Sequence, residues 1–174
     1  ARVTRLLDEA VAQARLNHPH VVTIYFVGHD SEDPFFAMEL LPGPTLDKLL
    51  LDGPLPYSQV IRYARQVTSA LEQATRLNLV HGDIKPSNLI MAGNDTVKLG
   101  DFGLAYTDQK ASSGISGTLS YMAPELADGH APTAQSDMYA LGITLFELTF
   151  GRRPYSLSGQ TVTDQLLSHR SAEV

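Results

Sequence analysis

The sequence predicts an α+β fold in which a short strand-bearing part is followed by a larger, mostly helical one. Three observations lead there: two β-rich runs near the start, a long amphipathic segment over 56–78, and an apolar segment over 135–150. With 43% hydrophobic residues, the 174-residue chain has enough apolar side chain to bury the core of one ordinary globular domain.

Taken in order, residues 2–16 place Val3, Leu6, Leu7, Ala10 and Ala14 at helical spacing, and Asn17, His18 and Pro19 end that helix. "VVTIYFVG" (21–28) is rich in β-branched and aromatic residues, and "FFAMELL" (35–41) resumes after the turn residues Asp30, Ser31, Asp33 and Pro34, which predicts two neighbouring strands. A short helix over 44–51 opens at Pro44. The long helix over 56–78 carries an apolar stripe of Val60, Ile61, Ala64, Val67, Leu71 and Ala74. Next comes the loop "HGDIKPSN" (81–88), then two short strands, "LIM" (89–91) and "VKL" (97–99), joined across "AGND". From 104 to 121 the chain is polar and long for a connection without regular structure, which favours a functional segment. The apolar helix 135–150 comes next; Gly151, Pro154, Ser156, Ser158 and Gly159 break the pattern before a last helix over 160–169.

Composition excludes several classes of function. The 19 acidic residues outnumber the 13 basic ones for a net charge of -6, and no Lys/Arg cluster could follow a phosphate backbone, so nucleic acid is not an expected partner. There is no Cys, hence no disulfide framework or thiolate metal site, and a reducing, cytoplasmic location is expected. The longest apolar stretch, "MYALGITLFELTF", has 13 residues and contains Glu147, short of the roughly 20 needed to span a bilayer. No membrane segment is expected within the chain; an anchor outside it is compatible with that. The N-terminus has no signal-peptide pattern and opens inside a periodic segment, so the chain is expected to begin mid-domain.

Alone, "HGDIKPSN" is ordinary turn chemistry, because Gly, Asp, Pro, Ser and Asn are the residues that fill turns. Its meaning changes because two further motifs stand after it in order, "DFG" at Asp101 and "APE" at Glu125. That set resembles the C-terminal lobe of a eukaryotic-type protein kinase, and "DIKPSN" with "GTLSYMAPE" is similar to the serine/threonine branch as found in bacteria. The resemblance implies a kinase-like fold with a partial N-terminal lobe over 1–40 and an incomplete C-terminal lobe over 41–174. It also implies ATP and Mg²⁺ as cofactors and a protein substrate phosphorylated on Ser or Thr.

The same resemblance implies the site residues. Asp83 would orient or accept the proton of the substrate hydroxyl, Lys85 would sit near the transferring phosphate, and Thr118 would hydrogen-bond both. Asn88 and Asp101 would supply hard oxygen ligands to Mg²⁺. Glu9 matches the helix-C Glu that pairs with the ATP-holding lysine. Met38 through Leu41 would form the gatekeeper and hinge, with backbone groups of Glu39 and Leu41 bonding adenine and Ile90 packing beneath it. Ile24, His81 and Phe102 match three members of the hydrophobic stack of an active kinase, with Gln13 a polar departure. Asp137 matches an acidic residue that braces the catalytic loop from below; read locally, it is an N-cap near Ser136. Glu125 would be neutralised by an Arg further along the lobe.

The chain departs from the family pattern in two places. Gly82 stands where many of these kinases have an Arg that receives a phosphorylated activation loop, so phosphate on Thr107, Ser112, Ser113 or Ser116 loses its usual partner. There is also no Gly-rich loop and no Val-Ala-x-Lys strand, so these residues by themselves are expected to transfer phosphate poorly. The alternative is a pseudokinase or docking module that keeps the fold without catalysis; Asp83, Lys85, Asn88 and Asp101 together favour the enzyme. Ser87 and Thr45 stand where some kinases place acidic selectors of basic peptides.

Overall fold

Each element of the fold forms for a local reason, and the core then brings the elements together around the loop 81–88. The computed structural model describes residues 14–30, 33–101 and 119–155. The predicted first helix up to residue 13, the polar segment 102–118 and the predicted last helix lie outside them.

Strands β1 (Ile24–Asp30) and β2 (Asp33–Met38) form an antiparallel hairpin, with Ile24 opposite Met38 and Asp30 opposite Asp33. Two sequence expectations are corrected here. The run 21–28 is not one strand, because Val21 bridges Leu99 in parallel and the Val22 N–H donates to the Leu99 carbonyl at 2.9 Å. Nor are Asp30, Asp33 and Pro34 turn residues: the register leaves only positions 31 and 32 between the strands. The second hairpin, β3 (Leu89–Gly93) and β4 (Thr96–Leu99), turns through Asn94 and Asp95. Both have positive φ, 48° and 54°, the conformation that tight hairpin turns require and Asn and Asp tolerate.

After β2 the chain lies against β3. The Gly43 N–H donates to the Met91 carbonyl at 3.1 Å, and the Met91 N–H donates to Pro44 at 2.9 Å. A Cβ on Gly43 would stand 2.5 Å from Met91 Cβ and 2.6 Å from its carbonyl oxygen, so only glycine permits this approach. Helix α1 (Leu46–Leu49) continues as a 3₁₀ turn over Leu50–Asp52.

Helix α2 (Tyr57–Arg76) buries Val60, Tyr63, Val67, Ala70, Leu71 and Ala74. Ile61, expected on the apolar stripe, is 38% exposed, because one residue's rotation of about 100° carries it off the face that Val60 starts. Tyr63 takes the buried place instead. Asn78, at φ 56°, turns the chain after the helix.

Helix α3 (Pro124–Ala127) precedes α4 (Ala134–Phe150). Thr133 and Ser136 cap α4 reciprocally: the Thr133 hydroxyl accepts the Ser136 N–H at 3.2 Å, and the Ser136 hydroxyl accepts the Thr133 N–H at 2.9 Å. The cap therefore falls to Thr133, which leaves the Asp137 carboxylate for other partners. Val67 and Leu71 of α2, Leu141 and Leu148 of α4, and Leu89, Val97 and Leu99 of the second hairpin share one apolar core with Leu46 and Ile84. Ile84, inside the loop 81–88, is thus anchored from within. Among the described residues no helix is long and apolar enough to cross a membrane.

Candidate active site

The loop begins shortly before β3, and its two ends are fixed in different ways. At its start, the Asp137 carboxylate on α4 accepts two backbone N–H groups, His81 on Oδ2 and Gly82 on Oδ1, each at 2.8 Å. His81 is fully buried; its ring Nδ1 lies 3.1 Å from the Asp83 backbone nitrogen and its Nε2 2.8 Å from the Gly100 carbonyl. Those partners, a donor at Nδ1 and an acceptor at Nε2, fit the neutral imidazole with its proton on Nε2. Burial pushes His81 below its ordinary value of 6.5, while Asp137, the Gly100 carbonyl, Asp83 and Asp101 pull the other way without reversing it. Burial likewise raises Asp137, against the pull of the two N–H groups and of His81.

Gly82 sits at φ 77°, in the left-handed region. Around a Cβ built there the nearest atoms are those of Pro132 at 4.0 Å, so glycine supplies backbone freedom rather than space.

At the far end Pro86–Asn88 forms a 3₁₀ turn that aims the Asn88 amide back at Asp83. Its Nδ2 donates to the Asp83 carbonyl at 2.8 Å and to Asp83 Oδ2 at 3.1 Å. Both partners are acceptors, which fixes the amide orientation and leaves Asn88 Oδ1 as an acceptor. Lys85 Nζ also donates to Asp83 Oδ2, at 2.7 Å. One oxygen of the Asp83 carboxylate thus carries both side-chain bonds, and Oδ1 has no partner among the described residues. Asp83 and Asn88 are 8% and 6% exposed, an enclosure in which charge-assisted bonds are worth more than in open water.

Asp101 is brought beside Asn88 through the preceding residue, whose N–H donates to the Asn88 carbonyl at 2.9 Å. Asp101 is exposed and adopts φ 56°, a conformation that costs a non-glycine residue free energy. Met38 ends β2, half exposed, while Glu39 and Leu41 form the segment leaving it, with Leu40 between them 93% exposed. Ile90 lies on β3 opposite Lys98, and its backbone bridges to Thr45. Ile24 and His81 are both buried. Glu9, Gln13, Phe102, Thr107, Ser112, Ser113, Ser116 and Thr118 lie outside the described residues. Glu125 is half-buried, and its carbonyl accepts the His130 N–H at 3.1 Å.

Two anchors were not anticipated from the sequence. The Tyr121 hydroxyl donates to Glu147 Oε2 at 2.5 Å, with the Arg153 guanidinium over the Tyr121 ring at 5.9 Å. Burial, together with Glu147, raises the Tyr121 hydroxyl well above its ordinary range, so it stays a donor. Tyr155 donates to the Ser120 carbonyl at 3.4 Å and lies 3.1 Å from the Tyr139 hydroxyl. These bonds fasten the segment around "SYMAPE" to α4. Glu147 was visible as the single charge in an apolar stretch, which is the signal that could have found it. The other unanticipated anchor is the side chain of Glu39, which is bonded to Lys98.

Residues 2–173 match the family described as "Protein kinase domain". The chain is 41% identical over 160 residues to the serine/threonine-protein kinase PknL of Mycobacterium tuberculosis, an alignment covering 88% of this chain and 40% of that protein. It is 35% identical over 176 residues to the serine/threonine-protein kinase PrkC of Bacillus subtilis, covering 98% of this chain and 27% of PrkC. Among solved structures it resembles Rad53 1-466 in complex with AMP-PNP, with a TM-score of 0.75 and 27% identity over 98% of this chain and 43% of that one. The chain thus spans about two fifths or less of the length of these curated relatives. Matched from its second residue to its last but one, it belongs to the protein kinase domain family.

Proposed function

We infer that the protein is a serine/threonine kinase that transfers the γ-phosphoryl group of ATP to a Ser or Thr hydroxyl of a protein substrate. One observation carries this reading: Asp83 has Lys85 and Asn88 fastened to Oδ2, its Oδ1 has no partner among the described residues, and the loop bearing all three is held from beneath by Asp137. Relatives named as serine/threonine kinases support the choice of acceptor hydroxyl.

In the transfer, the substrate hydroxyl oxygen bonds to the γ-phosphorus, the bond from that phosphorus to the bridging oxygen breaks, and ADP leaves. Asp83 Oδ1 orients the hydroxyl and takes its proton. Lys85, held at 2.7 Å from the other carboxylate oxygen, places a positive charge beside the reacting group. Asn88 Oδ1 and the Asp101 carboxylate would supply hard oxygen ligands to Mg²⁺. An ion held by these two residues would supply positive charge against the phosphates. Backbone groups of Glu39 and Leu41 bond adenine, with Met38 behind it and Ile90 below. Glu9 and Thr118 take the roles that their motif positions give them.

The test is Mg²⁺-dependent transfer of labelled γ-phosphate to a generic protein substrate and to the kinase itself, using the full-length protein. Label on Ser or Thr is expected, falling about 10²-fold or more in Asp83→Asn while ATP still binds. Equal transfer by the variant would remove Asp83 from its role, and absence of transfer by the unmodified protein that still binds ATP would favour a docking module.

A further inference from the structure

A second enclosed ion pair lies away from the Asp83 cluster, between the segment leaving β2 and the second hairpin. Lys98 Nζ donates to both Glu39 carboxylate oxygens, at 2.6 and 2.7 Å, and the two side chains are only 15% and 22% exposed. Glu39 is also tied to Thr23 twice: its Oε2 accepts the Thr23 N–H at 3.2 Å, and its own N–H donates to the Thr23 carbonyl at 2.8 Å. Burial pushes the Glu39 carboxyl up, but the bonds from Lys98 and Thr23 outweigh it and hold the group below the ordinary carboxylate value.

Its place in the ladder gives it a function. Lys98 is opposite Ile90 in the β3–β4 register, and directly opposed residues share one face of an antiparallel pair. Lys98 and Ile90 therefore stand side by side, the first holding Glu39 and the second forming the floor assigned to adenine. Leu99, next to Lys98, binds the segment leading into β1 as well: its N–H donates to the His20 carbonyl and its carbonyl accepts the Val22 N–H, both at 2.9 Å. Glu39 is thus held by two elements, β4 and the segment leading into β1, at the point where the chain starts toward Leu41.

We propose that the Glu39–Lys98 ion pair is a positioning device that sets the gap between the backbone of residues 39–41 and the Ile90 floor, and so sets adenine affinity. This rests on the kinase reading above and adds to it a role for two side chains that do not touch the phosphates. An aromatic base slotted between a fixed backbone edge and an apolar floor binds well only at one spacing, so loosening the pair weakens ground state and transition state alike. The signature is a raised KM for ATP with kcat unchanged.

The experiment compares the full-length protein with Lys98→Met, Lys98→Arg and Glu39→Gln, measuring the Kd of adenosine, the KM for ATP and kcat. Adenosine carries no phosphate, so it reports on the adenine slot alone. For Lys98→Met the expected result is a rise of about tenfold in both adenosine Kd and ATP KM. Over the same change kcat should stay within about twofold, and Lys98→Arg should recover most of the affinity. Arg62→Ala, which breaks a half-exposed pair with Asp95 at the tip of the same hairpin, should leave adenosine Kd unchanged. If Lys98→Met does not fold, Glu39→Gln, which keeps an acceptor for the Thr23 N–H, carries the comparison. Unchanged adenosine and ATP affinity in folded variants, or a change in kcat alone, overturns the proposal. Failure of the unmodified protein to bind adenosine overturns the kinase reading and this role together.

Discussion

The loop 81–88 and the β1–β2 hairpin show that regular structure and fixed position are different properties. The hairpin is regular and pairs with its nearest neighbour in sequence, yet Tyr25, Phe26 and Phe35 are 69%, 56% and 45% exposed. The loop contains only one 3₁₀ turn, yet His81, Asp83, Ile84 and Asn88 are buried and its polar groups are bonded to Asp137 and Gly100, far along the chain. A buried irregular segment survives only if its polar groups find partners, so the loop depends on a few distant side chains. The hairpin depends mainly on itself.

The largest effect should come from removing the support beneath the loop. In Asp137→Ala the His81 and Gly82 N–H groups lose their acceptor in a buried site, which costs about 1–3 kcal/mol for each group. A loss of about 2–6 kcal/mol in urea unfolding is expected, together with a fall in kcat greater than the rise in KM for ATP. Asp137→Asn keeps one acceptor and should fall between. If Asp137→Ala unfolds at the same urea concentration as the unmodified protein, the loop is held by something else.

A smaller and reversible effect of the same kind comes from acid. The unfolded chain takes up a proton at the ordinary imidazole value of 6.5, whereas His81 in the folded chain titrates lower. Between those two values the unfolded state holds more protons, so the contribution of His81 is fully present above 6.5 and is lost as pH falls through the folded value. Asp137 has the opposite sign, and its window opens at the ordinary carboxylate value of 3.8. The carboxylates around His81 limit the loss, which is why it should be less than that of Asp137→Ala. Urea midpoints at pH 7.5 and 5.5 should differ less in His81→Asn than in the unmodified protein; an identical difference in both would show that His81 is not the titrating group.

How much of this was legible in the sequence depended on whether the cause was local. Helix α2 was legible because Val60, Val67, Leu71 and Ala74 recur on one face, and the second hairpin because Asn94 and Asp95 are turn residues at the right place. The motif set around Asp83 pointed to candidate site residues, and the fold brings Lys85 and Asn88 within hydrogen-bonding distance of Asp83. What the sequence could not show was which polar group meets which across long separations. Asp137 reads locally as a helix cap, and only the resemblance set it beneath the loop; in the structure the Thr133–Ser136 pair takes the cap and the Asp137 carboxylate accepts the His81 and Gly82 N–H groups. Nothing in the sequence marks Gly43 as required, because the need appears only with Met91 in the space its Cβ would fill. Glu39 entered as a backbone contact, while its side chain is fixed by a lysine 59 positions away.

The smallest effect should come from the hairpin, where the partner is local and water is near. The rings of Phe26 and Phe35 lie 5.8 Å apart, and a Cβ on Gly28 would stand 2.5 Å from Phe26 Cε1, so the Phe26 ring rests over that glycine. Phe26→Ala removes a cross-strand aromatic pair but little buried surface, since the side chain is already 56% exposed. The expected loss is about 1 kcal/mol or less, against about 3–5 kcal/mol for a Phe truncated in a closed core. Urea unfolding, measured together with phosphate transfer, reports on both sides of the comparison: transfer should be unchanged once the variant is folded. A loss as large as that of Asp137→Ala would mean that the hairpin and the loop share one cooperative core, because a self-contained hairpin cannot pass so large a penalty to the rest of the fold.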